Sequence, residues 1–279
     1  TSKSELGWGN AIAALRWNYL INNRLFCNTT ATFSNFKFYS ENYEKNSSSS
    51  DYNGTTTSET NFKYDSGIKD YTAKIDFDYF LSTKHTLKFG TNYTWHRFNP
   101  GAYLFSSAST NQTPIDEAYG NKPLYSNEYN VFVEDNFELL PNLNMNAGAN
   151  LAVYNVGSKT YLSPQPRIST KYQINSNMSV KASYARMAQF GHLLTSANIS
   201  LPTDIWVPVT SRLSPPVSDQ LAVGWAYNLS PSLVLTIEGY YKEMRHLLEY
   251  KDGASFANVS TGWEDLVAQG TGLSYGGEF

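Results

Sequence analysis

His192, Asp204, Trp206 and Arg212 fall in one polar, proline-rich stretch, residues 188–216. An imidazole, a carboxylate, an indole and a guanidinium offer donors, acceptors and a stacking surface, which suits them to line the path of a bound solute. Tyr103 and Tyr119, in the stretch 99–124, add aromatic platforms of the kind that stack on sugar or cofactor rings. Plainer roles compete with these. Trp206 and the prolines also suit fastening a loop to a rim, and tyrosines also form the interfacial girdle of a membrane wall. Bond-breaking chemistry finds no support. His85, His96, His192 and His246 lie far apart without metal-ligand spacing, and His85 reads as a solvated side chain in a tight turn. No nucleophile elbow of the G-x-S-x-G type occurs. Asp76 and Asp78 share one face of a strand, where a polar wall shows the same pattern. Cys27, the single cysteine, forms no intramolecular disulfide. No catalytic, metal or cofactor-binding residue is assigned, and the chain is expected not to be an enzyme.

The elements that position these residues are strands. Aromatic residues make up 15% of the 279-residue chain, with 21 Tyr and 6 Trp, whereas charged residues make up only 16%. A chain rich in Tyr, Asn, Ser and Thr but poor in charge suits many half-buried strands. Period-2 alternation confirms that reading: Ala73, Ile75, Phe77, Tyr79 and Leu81 oppose Lys74, Asp76 and Asp78, and Leu87, Phe89, Thr91, Tyr93 and Trp95 oppose Lys88, Gly90, Asn92 and Thr94. The pattern returns at 143–153, 220–229 and 233–238. Tight polar turns at 21–24, 82–85, 140–143, 175–177 and 230–232 alternate with long polar segments at 42–58, 99–124, 188–216 and 251–266, apart from a shorter link at 157–161. Within 188–216, Gly191 to Thr195 has the spacing of a short helix or turn. Short turns on one side and long loops on the other describe an up-and-down outer-membrane barrel. About ten full strands are expected, starting near Leu6, Leu25, Thr60, His85, Tyr125, Leu143, Leu162, Met178, Val217 and Leu233. An eleventh begins at Thr271, with Gly276 and Gly277 breaking its alternation. The fold class is therefore all-β, an antiparallel portion of a larger transmembrane barrel, expected as an open curved sheet if isolated.

A more specific likeness lies in PRISTKYQINSNMSVKASYARM (166–187), LPTDIWVPVTSRLSPPVSDQLAVGWAYNL (201–229) and IEGYYKEMRHLLEYKDGASF (237–256). These resemble the barrel of TonB-dependent outer-membrane receptors in the form common in Bacteroidetes. Pro166 and Arg167 stand for the strand pair with a PR start, Pro202 to Asp204, Trp206 and Pro208 for the PTD-W-P element, and Ser218 to Gln220 for the strand opening with SDQ. The likeness covers about 161–279 well and is generic before that. It implies a barrel of about 22 strands with a plugged lumen, importing a scarce nutrient with energy delivered through TonB. Partners implied are outer-membrane lipid, the receptor's own plug domain, the TonB complex and an unidentified small nutrient, with room for a surface lipoprotein; no cofactor is implied. No plug, TonB-contacting segment or signal peptide is recognisable, so residues 1–279 are expected to be one partial barrel domain.

The net charge of −3, with no run of Lys and Arg, gives no nucleic-acid footprint. The rival to transport is a soluble or surface β-protein, an adhesin or carbohydrate-binding sandwich, whose apolar strand faces would pack into a protein core. The membrane reading leaves those faces exposed and expects two aromatic belts on them, about 25 Å apart.

Overall fold

Alternation at this density gives a single antiparallel sheet whose two faces differ. A computed structural model of the chain describes residues 1–50, 54–110, 112–120, 122–195, 205–254 and 262–279. Strands β1 (Ser2–Asn22), β2 (Leu25–Ser50), β3 (Gly54–Phe80), β4 (His85–Ser109), β6 (Leu124–Leu140), β7 (Leu143–Val156), β8 (Lys159–Asn175), β9 (Met178–Ala188), β12 (Val217–Ser230), β13 (Leu233–Tyr250) and β14 (Val267–Glu278) pair in that order. Strand β5 (Gln112–Gly120) folds back on the upper part of β4 and completes the 12-stranded sheet, while β10 (Gly191–Leu194) and β11 (Ile205–Pro208) pair only with each other. The one helical element described is a 3-10 turn at Trp263–Asp265.

The short turns close themselves with side chains. Asn22 Oδ1 accepts from the amides of Arg24 and Leu25 at 2.9 and 3.0 Å, Ser82 Oγ from Lys84 and His85 at 3.2 and 3.1 Å, and Asn175 Oδ1 from Asn177 at 2.9 Å. Such Asx and Ser turns satisfy amides the ladder leaves open. His85 is not simply solvated: it opens β4, and its Nδ1 lies 2.7 Å from Asp135 Oδ2. The opposite end differs from expectation. Segments 42–58 and 99–124, read as loops, are mostly strand: β2, β3 and β4 run to 26, 27 and 25 residues, far beyond the 9 to 11 needed to cross hydrocarbon. The upper part of β2, Glu44 to Ser50, is polar on both faces, which removes the alternation but not the backbone pairing. Similarly, Gly191 to Leu194 is a strand rather than a helical turn. The ladder also continues through Gly276 and Gly277, paired with Tyr240 and Gly239, and β14 begins at Val267 rather than Thr271.

One face carries Leu15, Ala73, Val131, Val133, Leu162, Leu221 and Val223 and exposes them; Leu162 is 66% and Val131 60% accessible. No second layer covers that face among the described residues, so the sandwich expectation fails. Aromatic side chains bracket the exposed band. Phe33, Tyr71, Trp95 and Tyr125 form one row, with ring centroids 5.1, 5.6 and 5.7 Å apart in sequence, and Trp17–Tyr19, Phe77–Phe89 and Trp225–Tyr227 pairs form the other. On β3 the span from Tyr71 to Phe77 is about 20 Å along the strand, somewhat less than the separation expected. This is a lipid-facing wall.

Candidate functional site

The opposite face is polar and concave. Arg16 on β1 and Arg167 on β8 line one basin of about 860 Å³, which requires the sheet to curl. Lys74, Asp76, Asp78 and Lys88 contribute to it, as do Asn130, Glu134 and Asn150. Register explains the convergence: Asp78 lies opposite Lys88, Lys88 opposite Glu134, and Gly148 separates Glu134 from Arg167 in the row. Charges then pair along and across strands, with Lys74–Asp76 at 2.8 Å within β3, Lys88–Asp78 at 3.3 Å between β4 and β3, and Arg167 on Glu134. Amides fill the gaps: Asn150 donates to Asn130 at 2.9 Å, Asn146 to Glu134 at 2.7 Å, and Asn130 to Glu128 at 2.8 Å. On β3, β4 and β6, His96 Nδ1 lies 2.8 Å from its register partner Asp70, and Nε2 3.6 Å from Glu128, which is diagonal to it. That carboxylate–imidazole–carboxylate row was not legible in sequence, because its members are 26 and 32 positions apart and only the strand register brings them together.

Above the basin residues 189–195 and 205–216 fold inward. Both clusters of buried apolar side chains among the described residues lie where these segments pack on the wall. Leu194, Ile205, Val207 and Leu213 meet Phe38, Tyr64 and Tyr103 from β2, β3 and β4, together with Trp263. Phe190 and Val209 pack on Ala152 and Tyr154 of β7, with Tyr154 and Phe190 rings stacked at 4.6 Å. Tyr161 Oη donates to the Thr210 carbonyl at 2.7 Å. Arg212 reaches Glu264 at 3.3 Å and also pairs with Asp265, tying this stretch to the next outer segment. That pairing holds the Asp265 carboxyl below its usual range.

The residues singled out from sequence thus separate. His192 is buried on β10, its register partner being Val207, and burial alone pushes its imidazole down to about 4. Trp206 is half-buried on β11 opposite Leu193, and Arg212 is exposed in its ion pairs. Tyr103 and Tyr119 are register partners on β4 and β5; Tyr103 is buried, with its hydroxyl pushed up to about 12, and Tyr119 is exposed. Asp204 lies outside the described residues.

His192 sets a pH dependence. Its pKa on the docked strand lies below the free value of 6.5, so the docked state binds fewer protons there. The stabilising contribution is full above pH 6.5 and lost as pH falls towards 4, at most about 3 kcal/mol. Protease cleavage within 189–216 is expected to accelerate between pH 7 and about 4.5, and the His192→Leu protein to show no such step. An equal step in both proteins would refute the assignment.

An exposed apolar band between aromatic girdles, short turns at one end and a polar concavity define an outer-membrane β-barrel wall. Residues 3–279 match the family described as TonB dependent receptor-like, beta-barrel, and the chain belongs to that family. TonB-dependent receptors are transporters of the outer membrane rather than enzymes. A comparison with curated proteins finds no match. Among solved structures, the ferric-catecholate import receptor Fiu of E. coli K12, in its closed form, is similar at 14% identity and a TM-score of 0.60, over 96% of this chain and 44% of that one. The RagAB peptide importer in its closed-closed state is similar at 12% identity and TM-score 0.57, over 89% and 31%. The copper transporter OprC is similar at 11% and 0.55, over 96% and 48%. The chain thus spans less than half the length of these structures, and likenesses at such identities speak for the fold.

Proposed function

We infer that this chain is part of the wall of an outer-membrane receptor for energy-coupled uptake of a scarce nutrient. The observation that carries this is the packing of residues 189–195 and 205–216 onto the inner side of the wall through a buried apolar joint, as a partial roof rather than a loop projecting into the medium. A plain pore needs a polar wall but no such roof. In this reading the basin wall faces a plug supplied by the full-length protein, TonB delivers the energy, and His192, Trp206, Arg212, Tyr103 and Tyr119 lie on or beside the nutrient's entry. A surface lipoprotein would dock over the same outer end.

The test uses cells carrying the full-length receptor. Ferric siderophores, cobalamin, oligosaccharides, peptides and copper are offered one at a time as the limiting nutrient. Growth on one of them is expected to require both the receptor and an intact TonB complex. Growth that needs the receptor but ignores loss of TonB would overturn the energy coupling, and receptor-independent growth on every nutrient would overturn uptake.

A further inference from the structure

The outward face turns from aromatic to cationic at one level on three neighbouring strands. On β2 the outward positions run Ala31, Phe33, Asn35, Lys37; on β3 they run Ala73, Tyr71, Lys69; on β4 they run Tyr93, Trp95, Arg97. Lys69 lies opposite both Asn35 and Arg97, and Lys37 lies opposite Gly67. These residues line a hollow of about 250 Å³ immediately outside the upper aromatic row.

Gly67 makes the hollow. A bulge falls between Asp65 and Gly67, and a Cβ at Gly67 would stand 2.3 Å from the Phe36 carbonyl oxygen. The position therefore carries no side chain, and a gap is left between the three cations. One carboxylate shares the hollow: Asp65 Oδ2 accepts from Asn99 Nδ2 at 2.9 Å, a bond that fixes its position and leaves its charge in place. No carboxylate of a described residue lies within ion-pair distance of Lys37, Lys69 or Arg97, whereas Lys74, Lys88, Arg167 and Lys181 on the opposite, concave face each have such a partner. Three cations against one carboxylate leave the concavity net positive, and the remaining self-repulsion is relieved by an anion.

We propose that Lys37, Lys69 and Arg97 form a site for the phosphorylated headgroup of an anionic outer-leaflet lipid. Depth selects the lipid. The aromatic row marks the edge of the hydrocarbon, so a phosphate in the hollow has its acyl chains beside Phe33, Tyr71 and Trp95. Arg97 supplies a planar fork of donors to the phosphate oxygens, and the lysines supply mobile point charges. The site lies on the outer surface, apart from the basin and its roof.

The test reconstitutes the full chain in phosphatidylcholine nanodiscs and titrates in short-chain phosphatidic acid, additional phosphatidylcholine or inorganic phosphate, counting retained molecules by native mass spectrometry. One phosphatidic acid is expected to be retained in preference to phosphatidylcholine. Its affinity should fall on the order of fivefold per charge removed, so roughly a hundredfold in Lys37→Gln/Lys69→Gln/Arg97→Gln, and survive in K37R/K69R/R97K. Unchanged retention in the neutral triple variant overturns the proposal. So does inorganic phosphate binding as tightly as the lipid, which would mean a site for a soluble anion. Should the triple variant fail to insert, Arg97→Gln alone decides, and an affinity equal to wild type refutes the site.

Discussion

Val131→Arg is expected to abolish stable insertion of the wall, while Gln165→Arg leaves it intact. Val131 lies on the outward face of β6 opposite Thr91, between the levels of Trp95 and Phe89, and is 60% exposed. Its position between the aromatic rows places it near the centre of the hydrocarbon, where arginine on a barrel's lipid face costs about 2–4 kcal/mol. Gln165 lines the polar basin on β8, where a guanidinium keeps its water and finds carboxylates within reach; the cost there should stay within about 0.5 kcal/mol. Urea unfolding in phosphatidylcholine vesicles, followed by tryptophan emission, separates the two. Equal effects, or a larger effect at Gln165, would mean that inside and outside have been exchanged.

Val207→Asp is expected to release the roof without dissolving the wall. Val207 is fully buried among Phe38, Tyr64, Leu194 and Ile205. A carboxylate placed there finds no cation in that cluster. Keeping it neutral at pH 7 against its usual pKa costs about 4 kcal/mol, before the lost apolar contact is counted. The stretch 189–216 should therefore undock and become protease-sensitive while the β-sheet dichroism persists. Leu193→Asp is the control, because Leu193 is 43% exposed on the other face of the same small hairpin and its side chain remains in water. A Val207→Asp protein as resistant to protease as wild type would show that the roof is held by something other than this joint.

The contrast between these sites mirrors what could be read without coordinates. Inside the bilayer one face meets lipid and the other water, so composition alternates and the strands around Ile75, Tyr93, Leu151 and Val223 were legible residue by residue. Beyond the bilayer both faces meet water, and the run Glu44 to Ser50 carries no such signal although it pairs with β3 along its length. The opposite failure occurs at Gly191 to Leu194, where a strand is packed into an apolar joint and four residues are too few to show a period. The site residues were legible only by type. That Arg212 would meet Glu264 and Asp265, or that His96 would stand between Asp70 and Glu128, depends on register and on how 189–216 folds, neither of which local sequence encodes. The polar wall itself was legible, since Lys74, Asp76 and Asp78 already occupied one parity.

Strand order also dictates an assembly sequence. Every neighbour in the wall from β1 to β9 and from β12 to β14 follows its partner along the chain, except that β6 pairs β4 across the small excursion of β5. Each such hairpin closes a short loop at little entropic cost, so the wall can lengthen one hairpin at a time. The hairpin β10–β11 is different: it leaves the chain between β9 and β12, but β11 rests on β3 and β4, far earlier in the chain, and β10 touches β13, which follows. Its seat does not exist until the strands between have paired and curled. Closure of the outer mouth is thus the slow, late event of folding, and a chain arrested before it would present a finished wall with an open entrance.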